Sequence, residues 1–394
     1  MGSSFAPLWT IDPSIDFLNH GSFGACPRFL LEAQSEWRAR LERQPLQFFR
    51  DLEGLLDEAR SALGEFVGAD ADDLVFVTNA TTGVNTVVRS LELEAGDELL
   101  TTDHSYNACR NALRWHEGRG IRIVTARIPW PLLGPWQVVE AVLSAATSRT
   151  RLLLIDHITS PTGLIFPVAE LVRRLAERGI DTLVDGAHAP GHIPLDLRAL
   201  GAAYYTGNCH KWLCTPKGAA FLHVRRDRQA LVKPIAHGHG LNSARTDRSR
   251  FRLQNDWIGT DDYSPHLCIP QAIEYLGGLM PWPELMERNR SLAIAGRRKL
   301  CDALGIEAPA PEFMLGSLAS VPLPDHAGEP PPTTSAWWHP LQRALLEKHR
   351  IEVPVHIFPA MPRQLLRISA QLYNSEDQYD HLATALTEEL RATR

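Results

Sequence analysis

Arg151-Leu152-Leu153-Leu154-Ile155, Leu171-Val172-Arg173-Arg174-Leu175-Ala176-Glu177-Arg178 and Thr182-Leu183-Val184 are the three stretches whose reading decides the fold. The first and third are short, unbroken apolar runs, the pattern of strands covered on both faces. The middle stretch has helical spacing, and Gly179 behind it is a natural stop. Alternation of this kind predicts a mostly parallel sheet with helices on both sides.

Working outward, residues 74–78 (LVFVT) read as a buried strand and 82–91 as the helix after it. Residues 98–101 and 121–126 are further strand candidates, and 219–224 closes the series. Past about Pro265 the texture changes. Residues 271–304 and 337–350 read as helical, 365–369 (LLRIS) as a strand and 377–390 as a closing helix. The Pro-rich stretch between, with Pro322, Pro324 and Pro330-Pro331-Pro332, reads as a surface loop. The expected class is α/β: an N-terminal segment 1–14, a large domain 15–265 and a smaller α+β domain 266–394.

Composition narrows the function. The chain carries 40 basic and 46 acidic residues, net charge −6, with no basic stripe, which argues against a nucleic-acid surface. Its six cysteines form no CxxC pair and read as reduced thiols of a cytoplasmic protein. The start, Met1-Gly2-Ser3-Ser4, lacks a basic region followed by an apolar run, so no signal peptide is expected. No apolar run approaches the ~20 residues that span a bilayer.

Three places carry chemistry. Gly207-Asn208-Cys209-His210-Lys211-Trp212 follows an apolar run at 202–205. A lysine in an apolar setting is costly to keep charged, and Schiff-base chemistry needs a lysine amine that can lose its proton. The plain alternative is a surface lysine after a strand. Val184-Asp185-Gly186-Ala187-His188 puts a carboxylate at a strand end, where open α/β sheets bind ligands. Such a carboxylate can pair with the protonated pyridine nitrogen of pyridoxal phosphate, or simply cap the next turn. Thr78-Asn79-Ala80-Thr81-Thr82-Gly83 sits between strand and helix, as an anion site or an ordinary N-cap.

Taken in this order, the segments resemble the class V aminotransferase family of pyridoxal-phosphate enzymes, fold type I, and within it the isopenicillin N epimerase-like group. The matching stretches are Phe17-Leu18-Asn19-His20-Gly21-Ser22-Phe23-Gly24, Asn79-Ala80-Thr81-Thr82, Asp103-His104-Ser105-Tyr106, Asp185-Gly186-Ala187-His188, His210-Lys211-Trp212, Gly259-Thr260-Asp261 and Arg367-Ile368-Ser369. The resemblance implies a role for each. Lys211 would hold the cofactor and move protons at Cα, Asp185 would pair with the pyridine nitrogen, and His188 would sit near the phenolic oxygen. Ala80, Thr81 and Thr82 would hold the phosphate with Asn208 and His210. Thr260 would reach the phosphate of a neighbouring subunit, since family members are homodimers with shared sites. Either His104 or Tyr106 would stack on the ring, His104 being preferred. Arg367 would clamp the substrate's α-carboxylate, with Asn19 and His20 near the substrate. His237, in His237-Gly238-His239-Gly240, is a further substrate-side candidate; two histidines without a third ligand do not make a metal site. Asn208 and Cys209 stand where the family usually has a small hydroxyl residue or glycine, and Cys209 has no assignable role.

The reaction class is less legible. The resemblance favours epimerisation or racemisation of an amino acid, which needs a second acid/base opposite Lys211; His20, Tyr106 and His237 are the candidates. A β-eliminating C–S lyase comes second and an aminotransferase third. Residues 356–366 contain no cysteine, which disfavours the persulfide transfer of desulfurases. A non-catalytic binding protein of the same fold would be expected to have lost Lys211, Asp185 or Arg367, and all three are present.

Overall fold

A computed structural model describes residues 2–326, 328 and 338–392. Twelve strands occur among them: β1 (Asp16–Phe17), β2 (Leu74–Val77), β3 (Glu98–Thr102), β4 (Arg122–Ala126), β5 (Thr150–Asp156), β6 (Asp181–Asp185), β7 (Tyr204–Asn208), β8 (Ala220–Val224), β9 (Leu318–Leu323), β10 (Ile351–Glu352), β11 (Val355–Ile357) and β12 (Gln364–Ser369). Seven form the main sheet, in the order β2-β8-β7-β6-β5-β3-β4. The pairs from β7 to β4 are parallel, whereas β8 runs antiparallel to both β7 and β2. The expected α/β class and the mostly parallel, mixed sheet are what the structure has.

The apolar runs become the most buried strands. β6 and β7 are covered almost along their length, and β5 exposes only Arg151. The helix between β5 and β6, Val168–Ala176, turns Val168, Leu171, Val172 and Leu175 inward. A three-stranded antiparallel sheet, β11-β12-β9, lies in the C-terminal part behind the long helix Trp282–Leu304 and the closing helix Glu376–Ala392. Residues 271–304 form two helices rather than one, Ile269–Leu279 and Trp282–Leu304. Pro281 lacks an N–H and disfavours a helical Met280, which is extended here. Pro330-Pro331-Pro332 lies outside the described residues.

Three elements that no strong pattern announced are helices Arg28–Arg43, Pro45–Val67 and Pro135–Ala145. β1 pairs in parallel with β10, tying the chain's start to its C-terminal part.

Candidate active site

Every strand end that matters lies on one edge of the sheet. β5 ends in Asp156, β6 in Asp185 and β7 in Asn208, with Asp156 and Asp185 register partners on adjacent parallel strands. Lys211 follows β7, and the His104–Tyr106 turn follows β3 on the other side of β6 in the sheet order. The gathering is topological, since parallel strands bring all their C-terminal ends to the same side.

Lys211 is the centre of the cluster. Its Nζ lies 3.2 Å from His188 Nε2, and the indole N–H of Trp212 donates to His188 Nδ1 at 3.4 Å. That second bond assigns the tautomer: with Nδ1 accepting, the proton of a neutral His188 sits on Nε2 and points at Lys211. A neutral Lys211 amine can accept that proton. The electrostatics agree. Burial first, then the Arg367 guanidinium, lower Lys211 to about 8, and burial holds His188 well below the usual histidine range.

The backbone of this turn is clamped. The Nε2–H of His20 donates to the Lys211 carbonyl at 2.9 Å, and the Tyr373 hydroxyl donates to His20 Nδ1 at 2.8 Å. The Trp212 ring lies between the imidazoles of His20 and His192, at 4.8 and 4.2 Å. Gly24 has φ +71°, and a Cβ there would stand 2.5 Å from the His210 carbonyl oxygen. Gly191 has φ +78°, and its Cβ would come within 2.7 Å of the Trp212 carbonyl. Only glycine tolerates both the left-handed backbone and the approach.

Asp185 is buried, with Oδ1 accepting the Ala187 N–H at 3.0 Å and Oδ2 3.1 Å from the Cys109 sulfur. Burial raises its carboxyl, opposed by the Cys109 thiol. The phosphate-side residues are partly used within the chain. The Asn79 side chain accepts the Thr82 N–H, and Asn208 Oδ1 accepts the Ala80 N–H, both at 2.8 Å. Asn208 thus caps the helix Ala80–Ser90 from the neighbouring strand. The hydroxyls of Thr78 and Thr82, 3.1 Å apart, and the half-buried Thr81 stand at the helix mouth. His210 uses Nδ1 on the Ala219 carbonyl. Thr260 is exposed in the loop before Tyr263 and makes no bond to this cluster.

Arg367, on β12, is 1% exposed and has no carboxylate partner among the described residues. Nη1 donates to the Ser160 carbonyl and Nη2 to Ser22 Oγ, while Nε is buried without an acceptor. A buried guanidinium with an unused N–H is costly, and a carboxylate is its natural complement. Asn19 stands one step back, its Oδ1 accepting the Ser22 hydroxyl. His20, expected near the substrate, is fully buried and has both ring nitrogens occupied in holding the Lys211 backbone. His237 is exposed and outside the cluster.

His104 and Tyr106 take different places. His104 is 0% exposed, bonded through Nδ1 to the Thr162 hydroxyl, with the Phe358 ring 4.6 Å away and Phe166 and Trp130 around it. Tyr106 is 47% exposed and feels both Asp185 and Arg367 electrostatically. Sequence reasoning missed Cys109, Asp156, Ser22 as the Arg367 partner, and Ser160. Asp156 carried a readable signal, since β5 ends in Ile155-Asp156 as β6 ends in Val184-Asp185.

The family model for aminotransferase class V matches residues 28–333. The chain belongs to the class V aminotransferase family. It is 38% identical to the isopenicillin N epimerase of Amycolatopsis lactamdurans over 96% of both chains, and 37% identical to that of Streptomyces clavuligerus over 95% of both. It is 29% identical to a probable chloroplastic L-cysteine desulfhydrase of Arabidopsis thaliana, over 95% of this chain and 83% of that one. Among solved structures, a cystine C–S lyase complexed with cysteine persulfide superposes with TM-score 0.80 at 21% identity, covering 95% of this chain and 98% of that one. The fold is therefore that of the fold type I enzymes, and the protein is a pyridoxal-phosphate-dependent enzyme. The residues present fit that cofactor: a buried lysine amine lowered to about 8, a buried carboxyl at the neighbouring strand end, and a guanidinium with an unmet N–H converge on one edge of the sheet.

Proposed function

We propose that this class V enzyme abstracts and returns the Cα proton of an amino acid, inverting the centre, as an epimerase or racemase. The single observation that carries the substrate class is the buried, carboxylate-free Arg367 with its unmet Nε–H. It would hold the α-carboxylate, with Ser22 and Ser160 fixing the guanidinium plane.

Bound at this site, pyridoxal phosphate would delocalise the electron pair left at Cα. The chain's own residues do the rest. Asp185 would pair with the ring nitrogen, and His188 Nε2–H would face the phenolic oxygen. Thr81, Thr82 and the helix start at Ala80 would meet the phosphate, with His210 beside them and Thr260 reaching it from a second copy in a homodimer. Lys211 would hold the cofactor and then take the Cα proton from one face. Tyr106 approaches from the β3 side, across β6 from Lys211, and would cover the ring and return a proton on the other face. Tyr106 is 47% exposed and Arg367 acts on its phenol, whereas His104 is fully buried and both His20 ring nitrogens are occupied.

The 38% identity to proteins described as isopenicillin N epimerases supports this reading. The 29% identity to a probable L-cysteine desulfhydrase favours a second one, β-elimination from a cysteine-derived amino acid at the same site. One experiment separates them. Holoenzyme is incubated with single amino acids in heavy water, and Cα deuteration, chirality and released sulfide and keto acid are followed. Deuterated product of both hands without sulfide supports inversion. Sulfide and keto acid in equal amounts replace it by the lyase. In Tyr106→Phe, inversion is expected to fall by about 100-fold while one-sided exchange persists.

A further inference from the structure

Asp156 and Asp185 are side by side at the ends of β5 and β6, each 3% exposed, their side chains on the same face of the sheet because they are register partners. Two like charges so placed in a dry site cannot both be ionised at ordinary pH. The surroundings divide the pair unequally. Asp185 receives the Ala187 N–H on one oxygen and the Cys109 thiol on the other. Asp156 has a buried Oδ1 with no partner at all. A bare buried carboxylate oxygen demands a donor or a proton of its own.

We propose that Asp156 is a second functional carboxyl of the site, sharing one proton with Asp185 and so setting how firmly Asp185 holds a proton on the cofactor's ring nitrogen. It is a positioning residue acting through Asp185, and the inference rests on the assignment of Asp185 to that nitrogen. The groups facing the pair are Cys109 and Arg110 from helix Asn107–Arg114, Ser105 and the Tyr106 N–H from the turn before it, and Lys211 beyond β7, while Tyr205 on β7 feels Asp185 from the opposite face of the sheet. Burial and Asp185 raise Asp156 well above the carboxylate range; the Ser105 hydroxyl, the Tyr106 N–H and Arg110 oppose them less strongly. Since Ser105 and Tyr106 lean on Asp156, the carboxyl also connects the ring-nitrogen side of the site to the tyrosine proposed for its second face.

The test uses holoenzyme and the pH dependence of its absorbance between about 300 and 500 nm. A carboxamide reproduces the shape of a protonated carboxyl but cannot titrate. Asp156→Asn is expected to keep its visible band while the midpoint of the pH profile moves by at least about one pH unit, the size that marks coupled groups. Asp185→Asn, by contrast, should weaken cofactor binding by about 100-fold or more. A D156N profile superposing on wild type overturns the proposal and leaves the Asp185 assignment standing. An Asp185→Asn protein that binds the cofactor as tightly as wild type overturns that assignment itself. Should D156N not fold, Cys109→Ala serves instead. Removing the thiol donor makes Asp185 more basic, so the midpoint rises; an unmoved midpoint overturns the shared proton.

Discussion

Lys211 and Arg367 show how much chemistry one residue's surroundings dictate. A lysine lowered to about 8 is half neutral at that pH and mostly neutral above it. Only the neutral amine attacks a carbonyl carbon. The rate at which apoprotein captures pyridoxal phosphate is therefore predicted to climb from pH 6 to 8 and level off above, as read from growth of the visible band. A rate that climbs only toward pH 10 would mean an ordinary lysine. Arg367 makes a different demand, because two of its nitrogens are aimed by Ser160 and Ser22. Arg367→Lys keeps the charge and loses the fork, and kcat/KM for α-amino acids is predicted to fall by about 100-fold. A loss under threefold would move the carboxylate site elsewhere.

At the scale of elements, the site depends on turns that cannot be rebuilt from other residues. Gly191→Ala places a methyl against the Trp212 backbone, at a left-handed φ of +78°. The expected cost is about 2 kcal/mol in urea unfolding, together with weaker cofactor retention, because the Lys211 turn must shift. The strands of this edge were legible because burial on both faces leaves an uninterrupted apolar run; Arg151–Ile155 and Thr182–Val184 differ from β5 and β6 only at their ends. Helix Pro45–Val67 was not legible, although its core face is apolar, because Arg60 lies buried among the inward residues. Among site residues, Lys211, Asp185 and His188 could be placed from local motifs. The hold of His20 on the Lys211 carbonyl was not legible, because a motif reports proximity to the site and not which way a ring faces. Cys109 acts only through Asp185, far away in sequence, so no local pattern marks it, whereas Asp156 repeats the strand-end pattern of Asp185.

At the scale of the whole molecule, an ion-pair cluster built on two buried arginines joins the N-terminal helices to the segment that leads to Thr260. Arg60 bridges Asp57 and Asp256, and Arg252 bridges Asp57, Asp72 and Asp256; both arginines are almost fully buried. Arg252 still pairs with Asp57 and Asp256 when Arg60 is removed, so Arg60→Ala is predicted to cost about 1–2 kcal/mol of stability in denaturant titration, from the lost packing and hydrogen bonds of its buried side chain. It should also weaken cofactor binding if Thr260 serves a second copy, since the cluster fixes the root of that loop. Unchanged stability would show that water already reaches the cluster.

The same connected architecture makes one measurement decisive. Purified protein with pyridoxal phosphate, wild type beside Lys211→Ala, is scanned between about 300 and 500 nm. The account predicts a band near ~410–430 nm in wild type that is lost or displaced in Lys211→Ala. A wild-type protein without that band, or a mutant whose band is unchanged, would contradict the assignment of Lys211 as the residue that holds the cofactor.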